Sequence, residues 1–306
     1  MADPILHIKD AYFFEVPKVL WPAHYESKDA VPEFLTNGHE HASLDEFNHA
    51  MDGKILIPQP FGTLKNLHEP ASGFCISKFM LIELLVAVVL IVLFKKMADR
   101  VATCEPVKGR FNNLIETFLL FIRDEIARPA IGHDGDKFVP LLWTFFFFIL
   151  GCNLMGMIPF MGTPTGAFGA TVSLASVTFA TVLVAGTRQF GPIGFWKNQV
   201  PSMELPWPLA WLKLVIFVIE VLGLFIKHAV LGFRLLANMV AGHLVLLGIL
   251  AVGVAAAGSA SWYIAGPASV VGATLFSCLE LFVAFLQAYI FTFLSALFIG
   301  AAVHSH

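Results

Sequence analysis

The sequence has little charge. Only 13% of its 306 residues are Asp, Glu, Lys or Arg, whereas 57% are hydrophobic and the mean hydropathy is +0.76. Soluble domains carry about 25% charged and about 45–50% apolar residues, so this composition excludes an ordinary soluble protein. It predicts a polytopic membrane protein.

Positive charge is absent from the C-terminal part of the chain. The last cation is Arg234, and the 72 residues after it contain one acid, Glu280, and no Lys or Arg. The whole chain has 19 Lys and Arg against 22 Asp and Glu, a net charge of -3, which provides no basic surface for nucleic acid. Acids concentrate instead in residues 1–75, which hold eleven of them with five Lys.

Cysteine and catalytic motifs are also scarce. The four cysteines have no paired spacing, so neither a disulfide framework nor a CxxC metal site is expected. The N-terminus lacks the basic and apolar regions of a cleaved signal peptide. The chain contains no GxxxxGK[ST] loop, so nucleotide chemistry is expected on partners. The cluster His39, Glu40 and His41 could suggest a metal site, but we interpret it as a solvated polar loop.

Apolar runs of about 20 residues are needed to cross a membrane as a helix. Five candidates are present, and they are 79–94, 138–159, 167–186, 209–257 and 268–303. Between Val107 and Arg128, apolar residues recur at steps of three and four, which predicts an amphipathic helix on the inner membrane surface. The alternative is a soluble helix packed on a partner. The expected fold is all-α, with five membrane helices, one surface helix, and the division 1–77 extramembrane and 78–306 membrane domain.

Cations next to the first span predict the orientation. Five follow it within sixteen residues: Lys95, Lys96, Arg100, Lys108 and Arg110. Because Lys and Arg are enriched on the cytoplasmic side, the N-terminus is expected outside and the C-terminus inside. Arg188 and Lys197, in the loop after the third span, agree with this assignment.

The last two apolar runs are too long for upright spans. The run 209–257 contains no proline and has 49 residues, roughly 70 Å as a helix, against about 30 Å of hydrocarbon. It must tilt, bend or split. With an outside turn expected at Ser259–Pro267 and a second long run after it, the pattern predicts a strongly tilted helical hairpin.

The fourth run carries charges at intervals of seven residues, namely Lys213, Glu220, Lys227 and Arg234. Seven steps of 100° fall 20° short of two turns, so these side chains share a slowly drifting face that Asn238 continues. An ionised side chain in the bilayer is costly and usually functional. Lys213 and Lys227 could instead extend to an interface, but Arg234 has apolar surroundings that weaken this explanation.

Polar residues of the fifth run also lie seven apart, at Glu280 and Gln287. Glu280 could be a buried protonated carboxyl, Gln287 a packing hydrogen bond, and His243 a packing histidine. Because an antiparallel neighbour brings Glu280 and His243 within reach, a proton-relay pair is the preferred interpretation. Arg234 cannot lose its proton, but it can stabilise a passing carboxylate, which must come from another subunit.

These residues resemble subunit a of the F-type ATP synthase. The resemblance rests on 231–244 (LGFRLLANMVAGHL), 153–159 (NLMGMIP), Glu220 with Lys227, and Glu280 with Gln287 and Ala288. It covers about Lys78 to Ile299. It implies a stator subunit that forms two proton half-channels against a rotating ring of subunit c and couples proton translocation to ATP synthesis.

The resemblance also implies roles for particular residues. Arg234 is implied to face the ring, Glu220 to serve the inner half-channel, and the outer half-channel to contain Asn153, Asn238, His243, Glu280 and Gln287. The implied partners are the c-ring, the peripheral-stalk subunit b, the rest of the complex and membrane lipid, with no cofactor. A bacterial inner membrane is preferred to a mitochondrial one. Residues 164–169 depart from the family pattern, so polar groups expected in the third span are missing, and water or other side chains must serve there.

Two alternative functions remain at this point. A self-contained ion-coupled secondary transporter would show an inverted repeat with broken helices, and no internal symmetry is detectable here. An intramembrane hydrolase would need a nucleophile near a base, and Ser173 and Ser295 have no such motif around them.

Overall fold

A computed structural model describes residues 10–17, 21, 45, 48, 51–102, 109–158, 161–198 and 211–304. The histidine pair around Glu40 and the cysteine at position 104 lie outside these ranges. Within them, Cys75, Cys152 and Cys278 are free thiols.

Two small antiparallel sheets of two strands each lie in the described part of the N-terminal segment. Strand β1 (Phe13–Glu15) pairs with β2 (Lys54–Leu56), and β3 (Gly62–Asn66) pairs with β4 (Glu69–Gly73). The register of the first pair places Phe13 opposite Leu56. These strands were not predicted, because each has only three to five residues and little hydrophobic alternation.

The N-terminal segment caps the first long helix, α1 (Lys78–Ala102). The carbonyl of Ala11 accepts the N–H of Lys78 at 2.8 Å, Asp10 Oδ1 accepts the N–H of Phe79 at 3.3 Å, and Ser77 Oγ accepts the N–H of Met80 at 3.3 Å. The first N–H groups of a helix have no partner within the helix. Three of them are satisfied here, and two of those acceptors come from a segment far away in sequence.

Helix α1 includes the predicted span 79–94 and extends about two turns beyond it. Ile82 and Val86 are buried, whereas Leu84, Leu85 and Val88 are exposed, so one face packs on the protein and the other is open. Four of the described helices are long and apolar enough to cross a membrane, and α1 is not among them because it carries charged residues near both ends. The prediction of five such spans is therefore confirmed for the last four.

The amphipathic stretch forms α2 (Arg110–Phe121), which continues as a π-helix (Ile122–Ala127), one further helical turn (Arg128–Ile131) and a 3-10 turn (Gly132–Lys137). The predicted helix is confirmed, and the π-helical segment is an addition. Phe118 packs on Phe146 and Phe285, and Trp143 Nε1 donates to the carbonyl of Leu119 at 2.9 Å. One face of α2 thus packs on later helices of its own chain.

The second and third predicted spans correspond to α3 (Val139–Gly156) and α4 (Phe168–Phe190), which are followed by the short α5 (Pro192–Asn198). A 3-10 turn, Pro164–Gly166, lies in the connection between α3 and α4. Among the four helices that could cross a membrane, α3 is the most buried. More than half of its residues are buried, so it lies at the centre of the packing.

The two longest helices are α6 (Trp211–Ala255, 45 residues) and α7 (Trp262–Val303, 42 residues). At about 1.5 Å per residue each exceeds 60 Å, twice the thickness of the hydrocarbon, which confirms the two overlong helices. The turn between them lies at 256–261, and Gly258 adopts a φ of 85° in it. The predicted turn at Ser259–Pro267 is therefore wrong at its end, because Pro267 lies inside α7. Near the start of a helix, proline removes a single backbone hydrogen bond, and the helix continues.

Small residues let α7 approach its neighbours closely. Ala284, Ala288 and Ala296 are fully buried, and a Cβ at Gly300 would collide with the carbonyl of Ala130. In lipid, where there is no hydrophobic drive between helices, such close backbone packing holds helices together.

The capping contact predicts how Asp10 supports the start of α1. Burial raises the pKa of the Asp10 carboxyl, while hydrogen bonds from Ser77 and from the N–H groups of Phe79 and Ala11 oppose that shift. In Asp10→Asn the acceptor is kept and the charge is removed. In Asp10→Ala the acceptor is lost, which costs about 1 kcal/mol. Amide exchange at the first turn of α1 should therefore be roughly fivefold faster in Asp10→Ala than in Asp10→Asn.

Hydrogen-exchange mass spectrometry on the assembled complex measures this difference. Because the folded pKa is raised, the stability contributed by Asp10 is greatest at low pH and falls as the pH rises through that pKa. Asp10→Asn should lack this decline. Equal exchange in the two variants would contradict the capping role.

Candidate functional site

His243 of α6 and Glu280 of α7 lie against each other. His243 Nδ1 is 2.9 Å from Glu280 Oε1, and the two side chains are 21% and 6% exposed. The carboxylate oxygen lies off the axis along which a hydrogen on Nδ1 would point, so the atoms are close without forming an aligned hydrogen bond. A small rotation of either group would align them.

Gly242 allows this approach. A Cβ at this position would lie 2.8 Å from Glu280 Oε1 and 3.3 Å from its Cδ, closer than side chains ordinarily pack. A larger residue beside His243 would push the carboxyl away. The sequence Gly242-His243 therefore provides both the imidazole and the space for its partner.

The other nitrogen of His243 contacts the connection between α3 and α4. Nε2 lies 3.0 Å from Thr163 Oγ1 and 3.2 Å from the carbonyl oxygen of Gly156. Thr163 is buried. The imidazole is thus held from both sides, by a carboxyl on α7 and by a hydroxyl and a carbonyl at the end of α3.

A second polar group lies beside the first. Thr165 Oγ1 donates to Asn153 Oδ1 at 2.6 Å, and Asn153 Nδ2 donates to the carbonyl of Ala284 at 3.2 Å. Asn153 and Thr165 are almost fully buried. Ala284 is one turn from Glu280, so Asn153 joins α3 to the same stretch of α7.

Asn238 and Gln287 form a third polar contact between α6 and α7. Asn238 Nδ2 donates to Gln287 Oε1 at 2.6 Å. Gln287 is 1% exposed, and its Nε2 has no hydrogen-bond partner among the described residues. Because an unsatisfied buried donor is costly, this amide is suited to binding an internal water.

Arg234 is half-buried and has no ion pair or hydrogen bond within the described part of the chain. Its neighbours Val230 and Phe233 expose their apolar side chains. A guanidinium in such surroundings calls for an anionic partner. Within the described ranges the chain does not provide one.

Glu220 and Lys227 meet farther along α6. Their charged atoms are 3.6 Å apart, and both side chains are about half exposed. Such a pair contributes little to stability because solvent or lipid headgroups screen it. Glu220 lies fourteen residues before Arg234, about 21 Å along the helix, so it is separate from the group around His243.

The structure therefore brings most of the predicted site residues into one region and leaves two apart from it. Those brought together by contacts between α3, α6 and α7 are Asn153, Asn238, His243, Glu280 and Gln287. Arg234 lies four residues before Asn238, and Glu220 is remote.

Sequence reasoning assigned no role to two threonines and one histidine. Thr163 contacts His243 and Thr165 contacts Asn153, and their only signal in the sequence is their position on either side of Pro164. His228 is buried between the rings of Phe179 and Phe298, and its Nδ1 lies 2.8 Å from the carbonyl of Leu224. Its apolar surroundings gave no indication of a role. The described residues contain no group of three or more His, Cys, Asp or Glu that could hold a metal ion.

Comparison with known proteins gives a consistent result. A sequence model for the ATP synthase A chain matches residues 79–300. The chain is 38% identical over 274 residues to ATP synthase subunit a of Chloroherpeton thalassium, covering 87% of this chain and 78% of that protein. It is 37% identical over 307 residues to ATP synthase subunit a of an Anaeromyxobacter species, covering 98% and 70%. For ATP synthase subunit a of Myxococcus xanthus the identity is 42% over 210 residues, covering 65% and 64%.

Apolar helices that bury a carboxyl against an imidazole and carry an arginine with no ion pair among the described residues are typical of membrane-embedded ion-translocating subunits. The chain belongs to the ATP synthase A chain family. It is thus the proton-channel stator component of an F-type ATP synthase, embedded in the membrane and acting in proton transport and ATP synthesis. The resemblance expected over Lys78 to Ile299 is confirmed, and this family is neither one of self-contained secondary transporters nor one of intramembrane hydrolases.

The buried contact of Asn153 predicts a stability effect. In Asn153→Leu the hydroxyl of Thr165 loses its acceptor, so the free energy of unfolding should fall by about 1–3 kcal/mol. Cys152 is fully buried next to it and can report unfolding through a thiol-reactive fluorophore in a background where Cys75, Cys104 and Cys278 are serine. The control is Gln189→Leu, which removes an exposed amide near the end of α4. If the unfolding midpoint of Asn153→Leu were as high as that of the control, the contact between Asn153 and Thr165 would contribute nothing to stability.

Proposed function

We propose that protons enter this subunit from the outer side, pass the His243 and Glu280 pair, and neutralise a carboxylate on a ring of subunit c. After the ring has rotated, the carboxylate loses its proton near Arg234 into an inner half-channel that contains Glu220. The observation that carries the proposal is the 2.9 Å contact between His243 Nδ1 and Glu280 Oε1 inside a pair of apolar helices.

The polar contacts between α6 and α7 form a series that supports an outer path. Because the two helices are antiparallel, moving inward from the turn at 256–261 reaches the His243 and Glu280 pair first and the Asn238 and Gln287 pair next. Asn238 is five residues inward of His243, about 7.5 Å along the helix. Asn153 adds a further amide beside this series. Arg234 then lies four residues farther inward, at the end of the series.

Arg234 divides the two half-channels in this proposal. A guanidinium keeps its proton, so protons cannot pass through it. At about 4 Å and an effective dielectric of about 20, it would stabilise a ring carboxylate by on the order of 4 kcal/mol. Its lack of an ion pair within the described residues supports a partner outside the chain.

The open apolar face of α6 supports contact with the ring. Only 11% of the residues in its most apolar stretch are buried. Side chains around Arg234, such as Val230, Phe233 and Ile226, are exposed. Lipid and the apolar helices of a ring both suit such a surface. The excessive length of α6 and α7 supports the strongly tilted hairpin that would follow the side of the ring.

Orientation, location and further partners complete the proposal. The bacterial relatives support the bacterial inner membrane, and the cations after α1 support an N-terminus outside and a C-terminus in the cytoplasm. We place residues 1–77 outside the membrane and 78–306 in the membrane domain. Subunit b and the rest of the complex are proposed partners on the basis of the family.

Arg234→Ala should abolish ATP-driven proton pumping in vesicles that contain the whole complex. Without the guanidinium, the ring carboxylate keeps its proton, and release should slow by up to roughly a thousandfold. The matched control is Lys213→Ala, which removes an exposed cation from the same helix. Unimpaired pumping in Arg234→Ala would overturn the proposed role of Arg234.

Glu280→Leu should slow proton uptake from the outer side by about a hundredfold, since a positioned acid or base contributes at least that much to proton transfer. The measurement is passive proton conductance of the membrane sector with the gradient directed inward. Glu116→Leu, an exposed acid of α2, is the control. Conductance equal to that of the control would remove Glu280 from the path.

A further inference from the structure

We propose that Thr163 is a positioning residue, which together with the carbonyl of Gly156 keeps the hydrogen of His243 on Nε2. The exchangeable position of the imidazole is then Nδ1, which faces Glu280. The proposal rests on the proposed function, because it concerns how the His243 and Glu280 pair handles a proton.

The hydrogen position follows from two acceptors, the carbonyl of Gly156 and the hydroxyl of Thr163. A backbone carbonyl oxygen can only accept, so its 3.2 Å contact with Nε2 favours a hydrogen on Nε2. Thr163 Oγ1, 3.0 Å from the same nitrogen, can share that hydrogen as a second acceptor. In a neutral imidazole one nitrogen carries a hydrogen and the other accepts. Nδ1 is therefore the accepting nitrogen.

This tautomer allows a proton to transfer between Glu280 Oε1 and His243 Nδ1. With a lone pair on Nδ1, the small rotation that aligns it with Oε1 across the 2.9 Å gap lets one proton lie between them, carried either by the carboxyl or by the imidazole. Transfer breaks the O–H bond of Glu280 and forms an N–H bond at Nδ1, which leaves a carboxylate beside an imidazolium. No other atom gains or loses a proton, and Nε2 keeps its hydrogen in both states.

The backbone of the connection between α3 and α4 holds the hydroxyl of Thr163 in position beside His243. Gly162 has a φ of 77°, a left-handed conformation that favours glycine, and Thr163 follows in an extended conformation before Pro164. The carbonyl of Thr163 accepts the N–H of Gly166 at 2.9 Å, which closes the 3-10 turn. A Cβ at Gly156 would collide with Thr163 Oγ1 and Cβ, so only glycine admits the hydroxyl.

The first experiment compares Thr163→Val and Thr163→Ser in the whole complex, reconstituted in proteoliposomes. Valine keeps the shape and removes the hydroxyl, so passive proton uptake from the outer side should fall about tenfold, the effect of one hydrogen bond to a charged group. Serine should restore uptake to within about twofold of wild type. Thr181→Val is the control, since the Thr181 hydroxyl is exposed and bonds only within its own helix, to Val177. Unchanged uptake in Thr163→Val, or a serine variant as slow as valine, would overturn the proposal.

The second experiment reads the tautomer directly. Nitrogen-15 NMR of the complex with labelled histidine distinguishes a protonated ring nitrogen from an unprotonated one, and the His243 signals are those lost in His243→Asn. We expect Nε2 to be protonated in wild type, and Thr163→Val to give a mixture of both tautomers. Wild-type protein with its hydrogen on Nδ1 and a bare Nε2 would overturn the proposal without any variant at Thr163.

The two proposals can fail separately. Normal outer uptake in His243→Asn would remove the pair from the proton path and overturn the proposed function. Slow uptake in His243→Asn with normal uptake in Thr163→Val would leave the path intact and overturn only the role of Thr163.

Discussion

The contact between His243 and Glu280 joins the two longest helices at a place where ionisable groups are expensive. Two such groups persist in an apolar hairpin because each lowers the cost of the other. Several nearby features exist around this contact: Gly242 makes room for the carboxyl, and the connection after α3 brings Thr163 to the far side of the imidazole. Both features serve to hold His243 and Glu280 against each other.

Close helix packing supplies the rigidity that such a site needs. The alanines along α7 and the contact of Gly300 with the carbonyl of Ala130 bring backbones together, so that polar side chains meet at fixed distances. Asn153 joins α3 to α7, and Asn238 joins α6 to α7, each by one side-chain hydrogen bond. In a low-dielectric interior these bonds are hard to exchange, because no water competes for them.

Much of the membrane architecture was predictable, because apolar runs of the required length stand out in any sequence. Arg234 and Glu280 were predictable for the opposite reason, since a lone charge in such a run is conspicuous. The pairing of Glu280 with His243 followed from antiparallel neighbours and is seen in the structure. Thr163 and Thr165 were missed because a loop hydroxyl has no hydropathy signal, and its partner is fixed only by tertiary packing. The turn before α7 was misplaced because proline near a helix start resembles proline in a loop.

The guanidinium of Arg234, which has no ion pair within the described ranges, also bears on how the complex is built. Before a ring arrives, the free subunit would hold a full positive charge in hydrocarbon, at a cost of about 2.5 kcal/mol or more. Such a subunit would be less stable alone than in the assembled complex. Proteases degrade proteins in proportion to the fraction that is unfolded. In the proposed arrangement the ring would therefore stabilise the subunit that it turns against, so that assembly and function would depend on the same charge.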